Sequence, residues 1–580
     1  MVMRFRQRTG GGGGGSKRGD LGRIMNQEKP HLEWLHRFFD AYYARRPVNA
    51  TFVGVHEHDG LLPDFSEVGL GEAVAEMEES LDTASTDDLG FVENLDRRLA
   101  TGFLRTQLWE YGSAHGPLGN PTLYTGEAVF GVMSLFLSDY SDFSVRAEAA
   151  VERLDGLPAL LRQGRANVKE APASWTRRAI RECEGGLAFL DSGIAHLAAS
   201  APSSPSVDRL VRASRAAAQA FSDHATYLYR DLLPADVESY TAGEEALDLA
   251  IREAHFLQED ADEIVRYAED QMAVAKAFLD EHAGDFGASD ATGAMAELAE
   301  AHPAVDGYLA RYSSEWERIR AITEEHELLT WPDHPIEYVP RPEWTRAAAP
   351  HLYFLFYRSP AAYSRPPLHR YLVTPIEQSM AVERQEELLR ANNDSVILLN
   401  HVIHHGSIGH HVQNWHAFRA ESRIGRMAAV DCAARTAMPS AGTMAEGWAC
   451  YATDLMTEFG ALTPLEAYAE KRSRVRMCAR AIVDVRLHQG RMSFAAAVRF
   501  YEEHVGMSEA AADGEVTKNS MFPGGALMYL TGTDGIHDLR REMSTRTGFS
   551  LKDFHDRFLS YGSVPVALVS EHMLEEVIDE

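Results

Sequence analysis

Along most of the chain, apolar residues recur every three to four positions, the repeat of a helix that buries one face and wets the other. The clearest case is Ile264, Tyr267, Ala268, Met272, Ala275, Phe278 and Leu279, whose offsets of 3, 4, 8, 11, 14 and 15 put them on one stripe. Asp262, Glu263, Arg266, Glu269 and Asp270 fall elsewhere on the same turns. Residues 145–168 and 206–232 carry the same pattern, with alanines that let helices approach closely. A helix after Pro30 is expected to end at Pro47, and the apolar run 129–137 is of core-helix length. Runs of β-branched residues bounded by turn residues are scarce, with short strands expected near 336–339 and 371–374. The pattern predicts an all-α protein with little β structure.

Residues 1–24, with six consecutive glycines, read as a flexible arm, because oligoglycine loses much entropy on ordering. Residues 25–375 read as an N-terminal helical portion and 376–580 as a C-terminal one. Between His351 and Pro375 the prolines forbid a continuous helix, and the many rings there suit a packed irregular segment, either a cleft wall or a structural loop.

Composition narrows the function. The formal net charge of −30, from 86 acidic against 56 basic residues, repels polyanions, so a nucleic-acid partner is not expected. A small molecule or short peptide is the expected ligand; oligomeric state stays open, a homodimer included. No apolar run approaches the roughly 20 residues of a membrane span. The four cysteines, Cys183, Cys432, Cys450 and Cys478, are far apart and form no C-x-x-C pair. Together with an N-terminus lacking an apolar leader core, this points to a cytoplasmic protein.

The chemistry concentrates in HHGSIGHHVQ, residues 404–413, where four imidazoles fall within eight residues, and in MAEGWACYATDL, residues 444–455, with Glu446. The preceding run SVILLNHVI, residues 395–403, is apolar enough for a buried helix. His401 and His405 stand four apart, as in H-E-x-x-H zinc sites, but Val402 occupies the glutamate's place. His404 and His411, seven apart, lie nearly eclipsed, whereas His404 and His410 converge only if the helix is bulged or broken, which Gly406 and Gly409 permit. The histidines His31, His36, His56 and His58 have no such spacing and read as structural.

These two motifs resemble those of the bacterial family DUF885, H-E-G-x-P-G-H-H-x-Q followed by E-G-W-A-x-Y. His404, Gly406, Gly409, His410, His411 and Gln413 match the first; Glu446, Gly447, Trp448, Ala449 and Tyr451 match the second. The resemblance runs over nearly the whole chain from about residue 30, through YTAGEEALDLAIREAHFLQEDADEI to RAIVDVRLHQGRMS, FPGGALMYLTG and DFHDRFLSYGSVPVALV. It implies a mostly helical, zinc-metallopeptidase-like body with a deep cleft. It also implies metal ligands His404, His410 and Glu446, with His411 as the alternate second histidine. Two imidazoles and a carboxylate suit Zn²⁺, and Fe²⁺ or Mn²⁺ also fit such a set.

The chain departs from the motif where it matters most for chemistry: the family's glutamate is His405 and its proline Ile408. General acid/base help is worth about 10² to 10⁴ in rate; a neutral His405 could take over as the base, could instead ligate the ion, or could mark a member that has left hydrolysis for another reaction. Arg480, Asp484 and His488 recur at four-residue steps and suit ligand support or carboxylate binding. Tyr529, after the turn at 523–525, suits oxyanion stabilisation, and Asp454 could orient a ligand imidazole. The sequence therefore predicts a metal-dependent hydrolase of an amide, peptide or related bond. The alternatives are a non-hydrolytic metalloenzyme of specialised metabolism, such as a lyase or an Fe-dependent oxidative enzyme, and a catalytically silent metal-binding protein.

Overall fold

The computed structural model describes residues 30–84, 89–352, 358–433 and 435–575; the glycine arm and part of the 351–375 segment lie outside them. As the periodicity predicts, the chain is mainly helical, and its described strands form one two-stranded sheet. The stripe at 264–279 lies on the helix Ala261–His282, which opens with a capping box: Asp260 accepts from the backbone N–H of Glu263, and Glu263 accepts in return from Asp260. This helix packs along Pro464–His488, itself started by a Thr463/Glu466 capping box. Ile264, Ala268, Ala275 and Leu279 are buried there, but Tyr267 and Phe278 are 43% and 37% exposed. The stripe is narrower than its apolar spacing because its edge rings lie beyond the contact line; Tyr267 instead donates its hydroxyl to Asp534 at 2.7 Å.

The two alanine-rich stretches become Phe143–Asn167 and Pro205–Tyr227, which pack against each other. The first helix, Pro30–Arg45, does end before Pro47, but Pro47 then starts a second short helix, where its fixed φ and missing N–H are tolerated. The strands β1 (Ile336–Pro340) and β2 (His369–Val373) pair in parallel, Tyr338 opposite Tyr371, with both rings buried. β2 starts two residues earlier than the apolar run suggests.

The largest core joins residues from both ends of the chain, from Trp34 to Met573, and encloses Ile397, Val402, Ile403, Ile408 and Trp448. A fully buried side chain of this kind contributes roughly 1.5–3 kcal/mol, so the segment carrying the histidines is anchored in this core. Beside it the helices Gly442–Glu458 and Leu527–Met543 cross at Gly447 and Gly532, where a Cβ on either would overlap the other's backbone. That close approach is what the glycine of E-G-W-A supplies.

Candidate metal centre and adjoining cavity

The apolar run before His404 winds as a wide π-helix, Ile397–Gly406, breaks at Ser407–Gly409, and resumes as an α-helix, His410–Ala417. The break is built from local bonds: Ser407 Oγ donates to Val402 O at 2.8 Å and Gly409 N to Ile403 O at 3.0 Å. Gly409 passes so near His404 O that a Cβ would overlap it. Two indoles clamp the segment from outside, Trp316 donating to Gly406 O at 2.9 Å and Trp448 to Ile408 O at 2.8 Å. The tryptophan of the second motif thus fixes the loop of the first.

The consequence is convergence. His404, His405 and His410 each offer a ring nitrogen within 4.8 Å of the others. Glu446 Oε2 lies 3.4 Å from His404 Nε2 and 3.8 Å from His410 Nε2. His405 Nδ1 is 2.6 Å from Asn400 O, and since a carbonyl only accepts, Nδ1 carries the proton and Nε2 keeps the lone pair. Burial pushes His410 down to about 4 and, with the neighbouring His404 and His410, holds His405 well below the usual range. Both rings are therefore neutral at pH 7, as ligation requires. Burial acts to raise the Glu446 carboxyl, but the hydrogen bond from His404 overrides it and keeps the group ionised. Neutral imidazoles beside one carboxylate form a donor set that fits a divalent ion.

His411 does not join them. It is fully buried, donates Nε2–H to His334 O at 2.7 Å and stacks on the His334 ring at 4.5 Å. Seven residues on, its spacing from His404 looks favourable only on an unbroken helix. His401 also turns away, its Nδ1 lying 2.5 Å from the Tyr371 hydroxyl. Asp454 pairs with His537 at 2.9 Å rather than with a cluster histidine.

Glu446 also lines a cavity of about 250 Å³ with Arg480 and Tyr529, whose ring lies under the Arg480 guanidinium at 4.1 Å. Arg480 is ion-paired to Glu515 at 2.6 Å. His488, on the same helix, is not among the cavity residues: it donates Nε2–H to Asn519 O at 3.0 Å and accepts at Nδ1 from Ala242 N at 3.3 Å. Its neighbour Asp484 accepts from Gly524 N and Ala526 N at 2.8 and 2.7 Å. This pair holds the turn on the cavity rim, and the shared face read from the four-residue steps divides into a wall (Arg480) and its support.

Sequence spacing gave no sign of Glu110, Arg358, Asp431, Arg435, Glu515 or Lys518, all of which line the cavity. They come from distant segments, and only the proline-rich stretch containing Arg358 carried a hint. Burial and the neighbouring Arg480 push Lys518 down to about 8.

Two solved structures share the fold. One, described as a "putative lipoprotein of unknown function" from Shewanella oneidensis, is 20% identical, covering 94% of this chain and 99% of its own, with TM-score 0.73. The other, a "putative lipoprotein" from Colwellia psychrerythraea, is 17% identical, covering 95% and 100%, with TM-score 0.75. These descriptions overturn the cytoplasmic expectation, which rested on cysteine usage and on the composition of the N-terminal residues. Four free, buried cysteines record packing, not compartment. No helix among the described residues is long and apolar enough to cross a membrane. No curated protein matches the chain. The family model for DUF885, bacterial protein of unknown function, matches residues 47–573, and the chain belongs to that family.

Proposed function

We propose that this protein is a metal-dependent hydrolase that acts on an amide, peptide or related bond of a small substrate held in the cavity beside Glu446. The observation that carries this reading is the convergence of three imidazoles on one carboxylate, Glu446, that also lines the cavity. His404, His410 and Glu446 would hold the ion, with zinc the best match to the donors, and the Nε2 lone pair of His405 makes it a third nitrogen of the set rather than a replacement glutamate. A divalent ion there supplies Lewis acidity and lowers the pKa of water. Tyr529, which lines the cavity under the Arg480 guanidinium, would donate to a developing oxyanion. Asp484 and His488 keep the rim turn in register.

One observation favours a second reading. With His405 in the ligand set, no side chain among the described residues stands in the sequence position of the proton-accepting glutamate, which suits a lyase or an Fe-dependent oxidative enzyme on the same scaffold. Metal analysis of the purified protein, paired with assays on small peptides and amides before and after chelation, separates the two. One equivalent of zinc with chelator-sensitive hydrolysis is expected; tightly bound iron with oxygen-dependent turnover would sink hydrolysis. Substituting His405→Glu sharpens the result: a gain of peptidase activity absent from the parent shows that the parent had left that chemistry.

A further inference from the structure

The segment TAGEEALDLAIREAHF folds as a short helix, Glu244–Leu249, extended by a π-turn, Ala250–Ala254. Its faces differ. Leu247 and Ile251 enter a core with Ile482 and Val485 of the helix Pro464–His488. Ala246, Ala250 and Ala254, at steps of four, border the cavity instead. Larger apolar side chains there would occupy the space, so the three alanines keep it open. Leu249, Met521, Phe522 and Met528 continue the apolar lining.

The turn after Phe522 is fixed to this alanine face. Gly524, at φ +70°, lies so close to Ala250 that a Cβ on it would overlap the alanine methyl. His255 donates Nε2–H to Gly524 O at 2.8 Å, since a carbonyl only accepts. A wall pinned before a ligand arrives loses little affinity to ordering.

Charge offers no handle for an ion on this wall. Arg435 is paired with Glu110 at 2.6 and 2.7 Å, and Arg480 with Glu515 at 2.6 Å. Lys518 lies in the fields of Glu515 and Glu446, and Arg358 in that of Asp431. Four cations of the lining are thus matched by four carboxylates, although the chain as a whole carries −30. Burial holds His115 and His255, which also line the cavity, below the usual imidazole range and therefore neutral at pH 7. A charged side chain loses its hydration on entering such a space, whereas an apolar one gains by leaving water. The volume of about 250 Å³ lies just below the roughly 300–1,000 Å³ of drug-sized ligand sites. That is room for a residue-sized group.

We propose that the cavity is a specificity pocket for one bulky, uncharged apolar group of the substrate, with the alanine face at 246, 250 and 254 setting how large that group can be. This rests on the reading of the cavity as the substrate site. The pocket itself needs no ion.

The test is calorimetric titration of the full-length, chelator-treated protein with N-acetyl amides of glycine, L-leucine and L-lysine. The leucine amide is expected to bind at least about tenfold more tightly than the other two, as burial of one such side chain allows. Ala254→Leu, which fills the space, should reduce the leucine preference to a few-fold or less. Should that variant fail to fold, Leu249→Ala, which enlarges the space, is expected to shift the preference from the leucine amide to the tryptophan amide. Equal binding of the three amides by the parent, no binding at millimolar concentration, or a leucine preference unchanged by both substitutions overturns the proposal. Hydrolysis of the same amides by zinc-loaded protein separates this outcome from that of the hydrolase reading. A leucine preference in binding with no zinc uptake and no hydrolysis keeps the pocket and removes the hydrolase; hydrolysis indifferent to the side chain keeps the hydrolase and removes the pocket.

Discussion

His410 and His411 are adjacent, and they enter two different histidine clusters. His410 faces His404, His405 and the Glu446 carboxylate, which also lines the cavity. His411 turns elsewhere, stacked on His334, with the His369 ring tilted against it at 5.7 Å, and bonded to a backbone carbonyl. Both rings are buried and both are held neutral, His410 at about 4 and His411 at about 3. Burial and a shifted pKa therefore fail to distinguish a ligand from a packing residue. What distinguishes them is the neighbour: several nitrogens converging beside an anion on one side, a stack and a carbonyl on the other.

The contrast is broken most decisively by removing a converging donor. His404→Ala or Glu446→Gln should weaken zinc binding by at least about 100-fold, read by competition titration, while His411→Ala leaves the stoichiometry unchanged. Retention of metal by Glu446→Gln together with its loss in His411→Ala would reverse the two assignments. His411→Ala should instead lower stability by about 1–3 kcal/mol through the lost hydrogen bond and stack, read in denaturant.

A pH series sharpens the packing side. Burial, with His411 and His334 nearby, holds His369 well below 6.5. As pH falls below 6.5 the unfolded chain takes up a proton that the folded one refuses, so stability declines with acidification by about 1 kcal/mol per pH unit for this group. His369→Gln should make that decline shallower; an unchanged slope would mean that the ring does not contribute. The smallest effect is expected for Trp448→Phe, which keeps the ring but removes the donor to Ile408 O. Loss of one hydrogen bond, about 1 kcal/mol, should raise the zinc dissociation constant a few-fold by loosening the break between His404 and His410.

Much of the fold is legible in the residues. The stripe from Ile264 to Leu279 and the prolines at 30 and 47 act over a few residues, and local chemistry decides local structure. The widths of buried faces are not legible in this way, as exposed Tyr267 and Phe278 show, since a face is buried only where another helix lies over it. At the site, the motif spacing marked His404, His410 and Glu446, and the two glycines marked where a helix could break. It could not decide between His410 and His411, because that choice depends on how far the chain turns through Ser407–Gly409, and Trp316, Trp448 and the core fix that turn from a distance.

By itself, then, the sequence determined that the chain is helical and which short segment carries its histidines, because these follow from periodicity and residue type. The tertiary structure alone decided that His405 joins the cluster and His411 leaves it, that His488 braces a turn instead of facing the cavity, and that Arg358 meets the same pocket as Glu446. Those relations depend on the packing of segments tens to hundreds of residues apart, which no spacing along the chain encodes.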